Sequence, residues 1–424
     1  MMWKNHELRL ACQSRTAVFP NSVWLILIIV LVLFSATNKT WAEIGKPKIG
    51  TSGIAPIGMR IVHMGHLPPP GNSGSIRAVF VSPKDKSSIL QVYEKLLIFP
   101  NKVRMNLDRH AVPKPFEGGV VIASHQENST ISYDLYDLDG KLVSRKSFTY
   151  AGTVHVTPMG SVVVSDGSEG YGEQFSLYSK DGRLIKTFRP YQYGFNLALF
   201  DSMEGRIAVY LKPDDPKKEF PKLLLINETD GSLLVDHQID IASASMIRLG
   251  INYIILHSTD SRNGRFISEL AVFSAGGQKI RTIESYAFHF VLDESKKRIV
   301  ICARDSVKRI NLQTGTIDWE KSYTNLYSGK RIARPNDIPT GFDLYPLALR
   351  RLSSSGVIAL LMAQSSFNVS DPRYKGELLL LAEDTGALID RKVLADRNGS
   401  VQMEVSDNRI HLVSDDGVDT YDVK

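Results

Sequence analysis

Short runs of β-branched, leucine and aromatic residues alternate with polar turns along most of this chain. A β-rich tetrad, a turn ending on glycine and a second β-rich run recur six times. The turn glycines are Gly140, Gly182, Gly231, Gly276 or Gly277, Gly315 and Gly386. With Gly276 taken as the fourth glycine, successive turn glycines are separated by 42, 49, 45, 39 and 71 residues. A repeat of about 40 to 50 residues is typical of the blades of a β-propeller.

Most repeats divide into four short strands, so the pattern predicts an all-β protein with four-stranded blades. Seven blades fit the repeats best, while six and eight stay open. The last repeat has only three strands before the chain ends. We therefore predict that an N-terminal strand, SIRAVFVS at 75–82, completes the last blade and closes the ring. The segment at 85–97 is interpreted as a short helix or an extra strand.

The N-terminal region divides into a targeting segment and a tether. Residues 1–42 hold three basic residues before the apolar run VWLILIIVLVLFSA at 23–36, which is typical of a signal peptide. An uncleaved anchor is the alternative. Residues 43–74 are rich in proline and glycine and are interpreted as a tether. Residues 75–424 form the predicted propeller domain.

Charge and cysteine content narrow the function classes. Removal of residues 1–42 takes away four of 51 basic and one of 45 acidic residues, which leaves 47 minus 44, or +3. This weak excess argues against a nucleic-acid partner. Only Cys302 then remains, inside the β-branched run RIVICA, where a cysteine is typically a small buried hydrophobe. Stability must therefore come from burial without disulfides.

The repeat pattern over residues 75–424 resembles the extracytoplasmic β-propellers of the quinoprotein-like (PQQ-repeat-like) and YVTN-type families. Leu312, Thr314, Gly315 and Trp319 match the docking motif of the quinoprotein-like repeats. A later repeat keeps Asp384, Thr385 and Gly386 but has Asp390 near the tryptophan position. The resemblance implies a propeller fold outside the cytoplasm; because other repeats lack the tryptophan, it does not extend to quinone-dependent dehydrogenase activity.

Long connections mark one face of the predicted ring. They occupy residues 210–222, 257–267, 324–342 and 363–377, at connections that emerge on the same side of a propeller. Loops this long are uncommon unless functional or disordered. Their basic and aromatic residues predict a binding surface for a protein, with solvated loops as the alternative. The predicted surface comprises Lys217, Lys218, Arg262, Arg265, Tyr327, Lys330, Arg331, Arg334, Phe342, Arg373 and Tyr374.

Three other hypotheses concern ligands. His110, His155 and His289 lie in or beside predicted innermost strands, so their imidazoles are candidates for holding one divalent metal ion in the channel. Asp166, Glu169 and Glu173 share a glycine-rich loop that could hold calcium, but it lacks the full ligand order of a calcium loop, so a flexible acidic turn is the favoured interpretation. Tyr327, Phe342 and Tyr374 are candidates for stacking on a glycan.

These observations favour an exported, monomeric propeller, periplasmic or secreted, that acts without catalysis or cofactor by binding another envelope or extracellular protein. Membrane contact is expected only through an uncleaved N-terminal segment. The alternative is a metal-dependent hydrolase or lyase with its site at the central channel. An apolar plug in the channel would favour the first hypothesis, and convergence of the three imidazoles would favour the second.

Overall fold

The computed structural model describes residues 59–70, 76–81, 89–108, 111–116, 118–125, 130–149, 151–166, 172–262, 265–284, 289–303, 305–328, 344–352, 356–364, 375–394 and 401–424. These residues form eight four-stranded antiparallel sheets, the blades of a β-propeller. The propeller fold with four-stranded blades is confirmed. The blade count of seven is wrong.

Blades 1 to 4 follow one another along the chain, each running from its innermost strand outward. Their strands are β2 (Ile76–Val81), β3 (Ile89–Tyr93), β4 (Leu96–Ile98) and β5 (Arg104–Asn106); β6 (Ala111–Phe116), β7 (Gly119–His125), β8 (Thr130–Asp137) and β9 (Leu142–Thr149); β10 (Ala151–Val156), β11 (Val162–Asp166), β12 (Phe175–Tyr178) and β13 (Leu184–Phe188); and β14 (Phe195–Met203), β15 (Arg206–Pro213), β16 (Lys222–Asn227) and β17 (Leu233–Gln238).

Blades 5 to 8 complete the ring, and a one-turn helix α1 (Tyr323–Leu326) follows blade 6. Their strands are β18 (Met246–Leu249), β19 (Tyr253–Arg262), β20 (Arg265–Ser274) and β21 (Lys279–Glu284); β22 (Phe290–Asp293), β23 (Arg298–Cys302), β24 (Ser306–Asn311) and β25 (Ile317–Ser322); β26 (Leu344–Leu352), β27 (Val357–Gln364), β28 (Lys375–Ala382) and β29 (Leu388–Val393); and β30 (Gln402–Ser406), β31 (Arg409–Ser414), β32 (Gly417–Val423) and β1 (Ile61–Leu67).

Ring closure uses an N-terminal strand, but a different one from the strand that the sequence suggested. β1, from the segment interpreted as a tether, pairs antiparallel with β32 and becomes the outermost strand of blade 8. The predicted closing strand at 75–82 is instead β2, the innermost strand of blade 1. Of the ambiguous segment at 85–97, the structure describes residues 89–97, which contain β3 and the start of β4, so this part is β-structure.

Blade 1 lacks the turn glycine that marks the other repeats. In its outer hairpin the N–H of Lys102 donates to the Phe99 carbonyl at 2.9 Å. The N–H of Gly140 makes the same contact with Asp137 in blade 2. Lys102 has φ +71° and Gly140 has φ +81°, so a lysine takes the left-handed position that glycine usually occupies. A search for repeats that relies on the turn glycine therefore misses blade 1.

The hydrophobic core lies between the blades. Buried apolar side chains of the described residues form eight clusters, and each joins two neighbouring blades. The cluster of Val79, Tyr93, Leu96, Ile98, Val413 and Val418 joins blade 1 to blade 8. Closure by β1 therefore completes a ring in which every blade face is covered.

Trp319 docks blade 6 onto blade 7. Its indole N–H donates to the Glu383 carbonyl at 2.9 Å. A Cβ added to Gly386 would lie 2.6 Å from the ring, so the indole packs directly on the turn backbone. Arg281 takes the equivalent place between blades 5 and 6, where it donates to the Gln313 carbonyl at 2.8 Å. A tryptophan is thus dispensable where another long donor reaches the next turn.

Asp390 lies near the tryptophan position of blade 7, and it binds the closing strand instead of docking two blades. Its Oδ2 accepts the N–H of Ile61 at 2.6 Å, at the first residue of the closing strand. The departure from the repeat motif therefore lies where the chain is joined to its N-terminal strand.

Candidate interaction face and central channel

Two neighbouring connections of blades 3 and 4 are joined by hydrogen bonds on the face predicted from loop lengths. One is the 189–194 connection from β13 to β14, and the other is the 214–221 loop between β15 and β16. The N–H of Gln192 donates to Glu219 Oε1 at 3.0 Å, and the N–H of Asp214 donates to the Gly194 carbonyl at 3.1 Å. The two loops therefore form one continuous surface.

This surface exposes aromatic rings beside lysines. Phe220 is 62% exposed and Tyr193 is 47% exposed. The Lys218 Nζ lies 4.3 Å from the centroid of the Tyr193 ring, a cation–π contact, and 3.2 Å from Asp215 Oδ2. We call Tyr193, Lys217, Lys218 and Phe220 the aromatic patch. The sequence singled out its two lysines but missed Tyr193, which lies in a connection too short to attract notice.

A buried tyrosine holds the patch in place. The Tyr191 hydroxyl lies 3.0 Å from the carbonyl oxygens of both Leu211 and Phe220. Burial raises the pKa of Tyr191 above its ordinary value, so the hydroxyl keeps its proton and donates. The side chain of Phe220 is thus exposed, while its backbone carbonyl is held by the buried hydroxyl of Tyr191.

The other residues of the predicted surface have varied positions. Arg262 and Arg265 are paired at the tip of the long β19–β20 hairpin. Tyr327 is only 9% exposed and packs in the cluster between blades 6 and 7, where its N–H donates to the Tyr323 carbonyl, so it stabilises the core instead of offering a surface ring. Outside the described residues lie Lys330, Arg331, Arg334, Phe342, Arg373 and Tyr374.

The two described channel histidines have different neighbours. His155 Nε2 lies 2.8 Å from Ser202 Oγ, and the ring stacks against Phe200. Burial and the nearby Arg350 guanidinium lower the pKa of His289 to about 3, so that imidazole is neutral. His110 lies outside the described residues. Within the described ranges, no group of three or more histidine, cysteine, aspartate or glutamate side chains could hold a metal ion.

Charged side chains from four blades converge in the channel. Asp201 is on β14, Arg248 on β18, Arg350 on β26 and Glu404 on β30, all innermost strands. Burial lowers the pKa of Arg248; Asp201 and Glu404 raise it again, whereas Arg350 lowers it further. These are the innermost strands of blades 4, 5, 7 and 8, so the four residues lie on strands that line the channel. We call the four residues the channel charge cluster.

Its ion pairs are long. Arg248 Nη1 lies 3.9 Å from Asp201 Oδ1, and Arg350 Nη2 lies 3.8 Å from Glu404 Oε1. Neither distance is a hydrogen bond. Burial also raises the pKa of Asp201. The part of the channel that the structure describes therefore carries charged side chains of both signs, contributed by four blades.

The glycine-rich acidic loop after β11 has its described ends joined by hydrogen bonds from its own backbone. Asp166 Oδ1 accepts the N–H groups of Glu173 and Gln174 at 3.0 and 2.8 Å. Glu169 lies outside the described residues. At its described ends, the loop thus uses Asp166 as a structural acceptor.

No helix in the described ranges is long and apolar enough to cross a bilayer.

Comparison with family models gives no match, and comparison with curated proteins gives none either. Among solved structures, the chain is similar to BamB from Moraxella catarrhalis, with a TM-score of 0.50 and 14% sequence identity. The alignment covers 85% of this chain and 99% of that chain. At this identity the likeness shows the β-propeller fold alone.

Proposed function

We propose that this protein is an exported β-propeller interaction module that binds another envelope or extracellular protein through its aromatic patch. The observation that carries the proposal is the exposure of Phe220 and Tyr193 on a backbone fixed by Tyr191. Aromatic anchors held rigidly lose little entropy on binding and often dominate interface energetics. Export is supported by the basic and apolar character of residues 1–42.

The chemistry of the patch defines the partner. Phe220 would enter an apolar pocket, and Lys217 and Lys218 would face carboxylates at its rim. Asp215 already lies beside Lys218, so the attraction for acidic groups is moderate and favours specificity more than affinity. The proposed module is monomeric, needs no cofactor and performs no reaction. Its quinoprotein-like or YVTN-type kinship remains part of this proposal.

Site-specific photo-crosslinking in intact cells of the native host tests the proposal. A photoreactive phenylalanine analogue at position 220 should give one dominant protein adduct. Introduction of Lys217→Glu and Lys218→Glu should abolish that adduct. The matched control places the analogue at Thr314, an exposed turn residue on the opposite face of the ring. No adduct at position 220, or the same adduct from both positions, would contradict the proposal.

A further inference from the structure

We propose that the central channel binds a small oxyanion, the carboxylate or phosphate group of a solute, at the guanidinium of Arg350. This site is separate from the aromatic patch and independent of the proposed protein partner. It is built by two innermost strands, β26 of blade 7 with Arg350 and β30 of blade 8 with Glu404, whose side chains approach within 3.8 Å.

The first argument is the shortage of acceptors around Arg350. A guanidinium has five N–H donors in a planar fork. Arg350 Nη1 donates to the Leu349 carbonyl at 3.1 Å, while Nη2 is 3.8 Å from Glu404 Oε1. Nε is buried, and no described residue accepts its hydrogen. Buried donors without acceptors are rare, so Arg350 has a hydrogen-bond donor to offer a ligand.

The carboxylate of Asp201, by contrast, is already engaged. Asp201 Oδ2 accepts the N–H of Leu249 at 2.7 Å, so one of its oxygens is occupied by backbone. A cationic ligand at Asp201 would also have to approach the guanidinium of Arg248, which lies 3.9 Å from Asp201 Oδ1. The surplus of donors over acceptors at Arg350 therefore favours an anion.

His289 supplies a second argument. It precedes β22 of blade 6, and its imidazole lies within the electrostatic influence of Arg350. Burial and Arg350 together lower the pKa of this imidazole, so the ring is neutral and keeps one N–H that can donate.

The carboxylate of Glu404 opposes the binding of an anion at Arg350. Glu404, 3.8 Å from Arg350, would repel a bound oxyanion while still allowing it to take the free donors. Neutralising Glu404 should therefore strengthen binding, whereas changing Arg350 should weaken it. Opposite effects from two adjacent residues are not expected of anion binding elsewhere on the surface.

Titration calorimetry of the purified full chain at low ionic strength tests the site, with inorganic phosphate and succinate as separate probes. Arg350→Gln should weaken binding at least about tenfold, since it removes a charged fork. Arg350→Lys keeps the charge without the fork and should have an intermediate effect. Glu404→Gln should tighten binding about threefold. The matched control is Arg145→Gln, which removes an exposed arginine paired with Asp134 and should change nothing.

Each outcome decides the proposal. Binding of phosphate alone supports a phosphate-bearing solute, and binding of succinate alone supports a carboxylate-bearing one. Binding of both supports a general oxyanion site. The proposal is overturned if neither probe binds at about 10 mM. It is also overturned if a folded Arg350→Lys protein binds as the wild type does, or if Glu404→Gln weakens binding.

Discussion

At the scale of single residues, the turn glycines serve two structural purposes at once. Gly386 has φ +65°, which a side chain rarely adopts, and it also lies against the indole of Trp319. The dihedral angle is a local requirement, and the missing Cβ is a requirement of the neighbouring blade. Lys102 in blade 1 has an exposed side chain and the same left-handed backbone, so the dihedral angle alone does not demand a glycine.

We expect Gly386→Ala to destabilise the protein by about 1–3 kcal/mol, because the new methyl group clashes with Trp319 at a backbone angle that is strained for alanine. Thermal unfolding followed by circular dichroism measures the effect. The matched control is Gly276→Ala in the equivalent turn of blade 5, where the nearest atom to an added Cβ is Ser274 Oγ at 3.7 Å. Equal stability of the two variants would contradict the double role of Gly386.

A second residue-scale prediction concerns the support of the aromatic patch. Tyr191→Phe removes the hydroxyl that lies against the carbonyls of Leu211 and Phe220 and leaves those acceptors without it. We expect a loss of about 1–2 kcal/mol and faster hydrogen exchange in residues 214–221. Tyr193→Phe, which alters an exposed ring, is the control and should leave exchange unchanged. Slow exchange in Tyr191→Phe would show that another contact holds the loop.

At the scale of elements, strand type was predictable from the sequence, but the identity of the closing strand was not. Repeats with a glycine turn produced the right hairpins in blades 2 to 7. β1 escaped detection because only Ile61 is buried, so its residues show no alternation of apolar and polar side chains. The contacts that place it come from β32 and Asp390, more than 300 residues away in sequence.

We expect Asp390→Ala to loosen the closing strand, because the N–H of Ile61 loses a charged acceptor worth about 1.5–3 kcal/mol. Hydrogen exchange and limited proteolysis at residues 61–67 report the change. Asp390→Asn keeps an acceptor oxygen at nearly the same place and serves as the matched control, with protection close to that of the wild type. If both variants open to the same extent, the charge and not the hydrogen bond fixes the strand.

At the scale of the whole molecule, the channel was the least predictable part of the site. Arg350 and Glu404 are 54 residues apart in sequence and 3.8 Å apart in the fold, and no local spacing connects them. Their proximity follows from the blade count and from the level of each innermost strand in the ring. The aromatic patch was partly predictable, since loop length marked its face, while Tyr193 became apparent only through its contact with Lys218.

Two buried histidines and the half-buried His289 make the stability of the ring depend on pH. Burial lowers the pKa of His257 to about 4, and burial with Arg350 lowers that of His289 to about 3. His411 is lowered to about 4 by burial and Arg409, partly opposed by Asp422. Each folded-state pKa lies below the ordinary value of about 6.5, so the unfolded chain takes up these protons first as pH falls. Their contribution is complete above about pH 6.5 and is lost as pH falls towards 4.

We expect the free energy of unfolding to fall between pH 7 and pH 5, by up to about 1.4 kcal/mol per pH unit for each histidine. Urea unfolding at the two pH values measures this difference. The interval from pH 5 to pH 7 lies above the range in which most carboxylates titrate. His257→Gln should be less stable at pH 7, because Ser245 and Ser268 lose their 2.6 Å contacts with the ring, yet should show a smaller loss at pH 5. His237→Gln, at an exposed site, should keep the wild-type difference. An unchanged difference in His257→Gln would mean that this imidazole already takes up its proton in the folded state, and that its burial does not resist the charge.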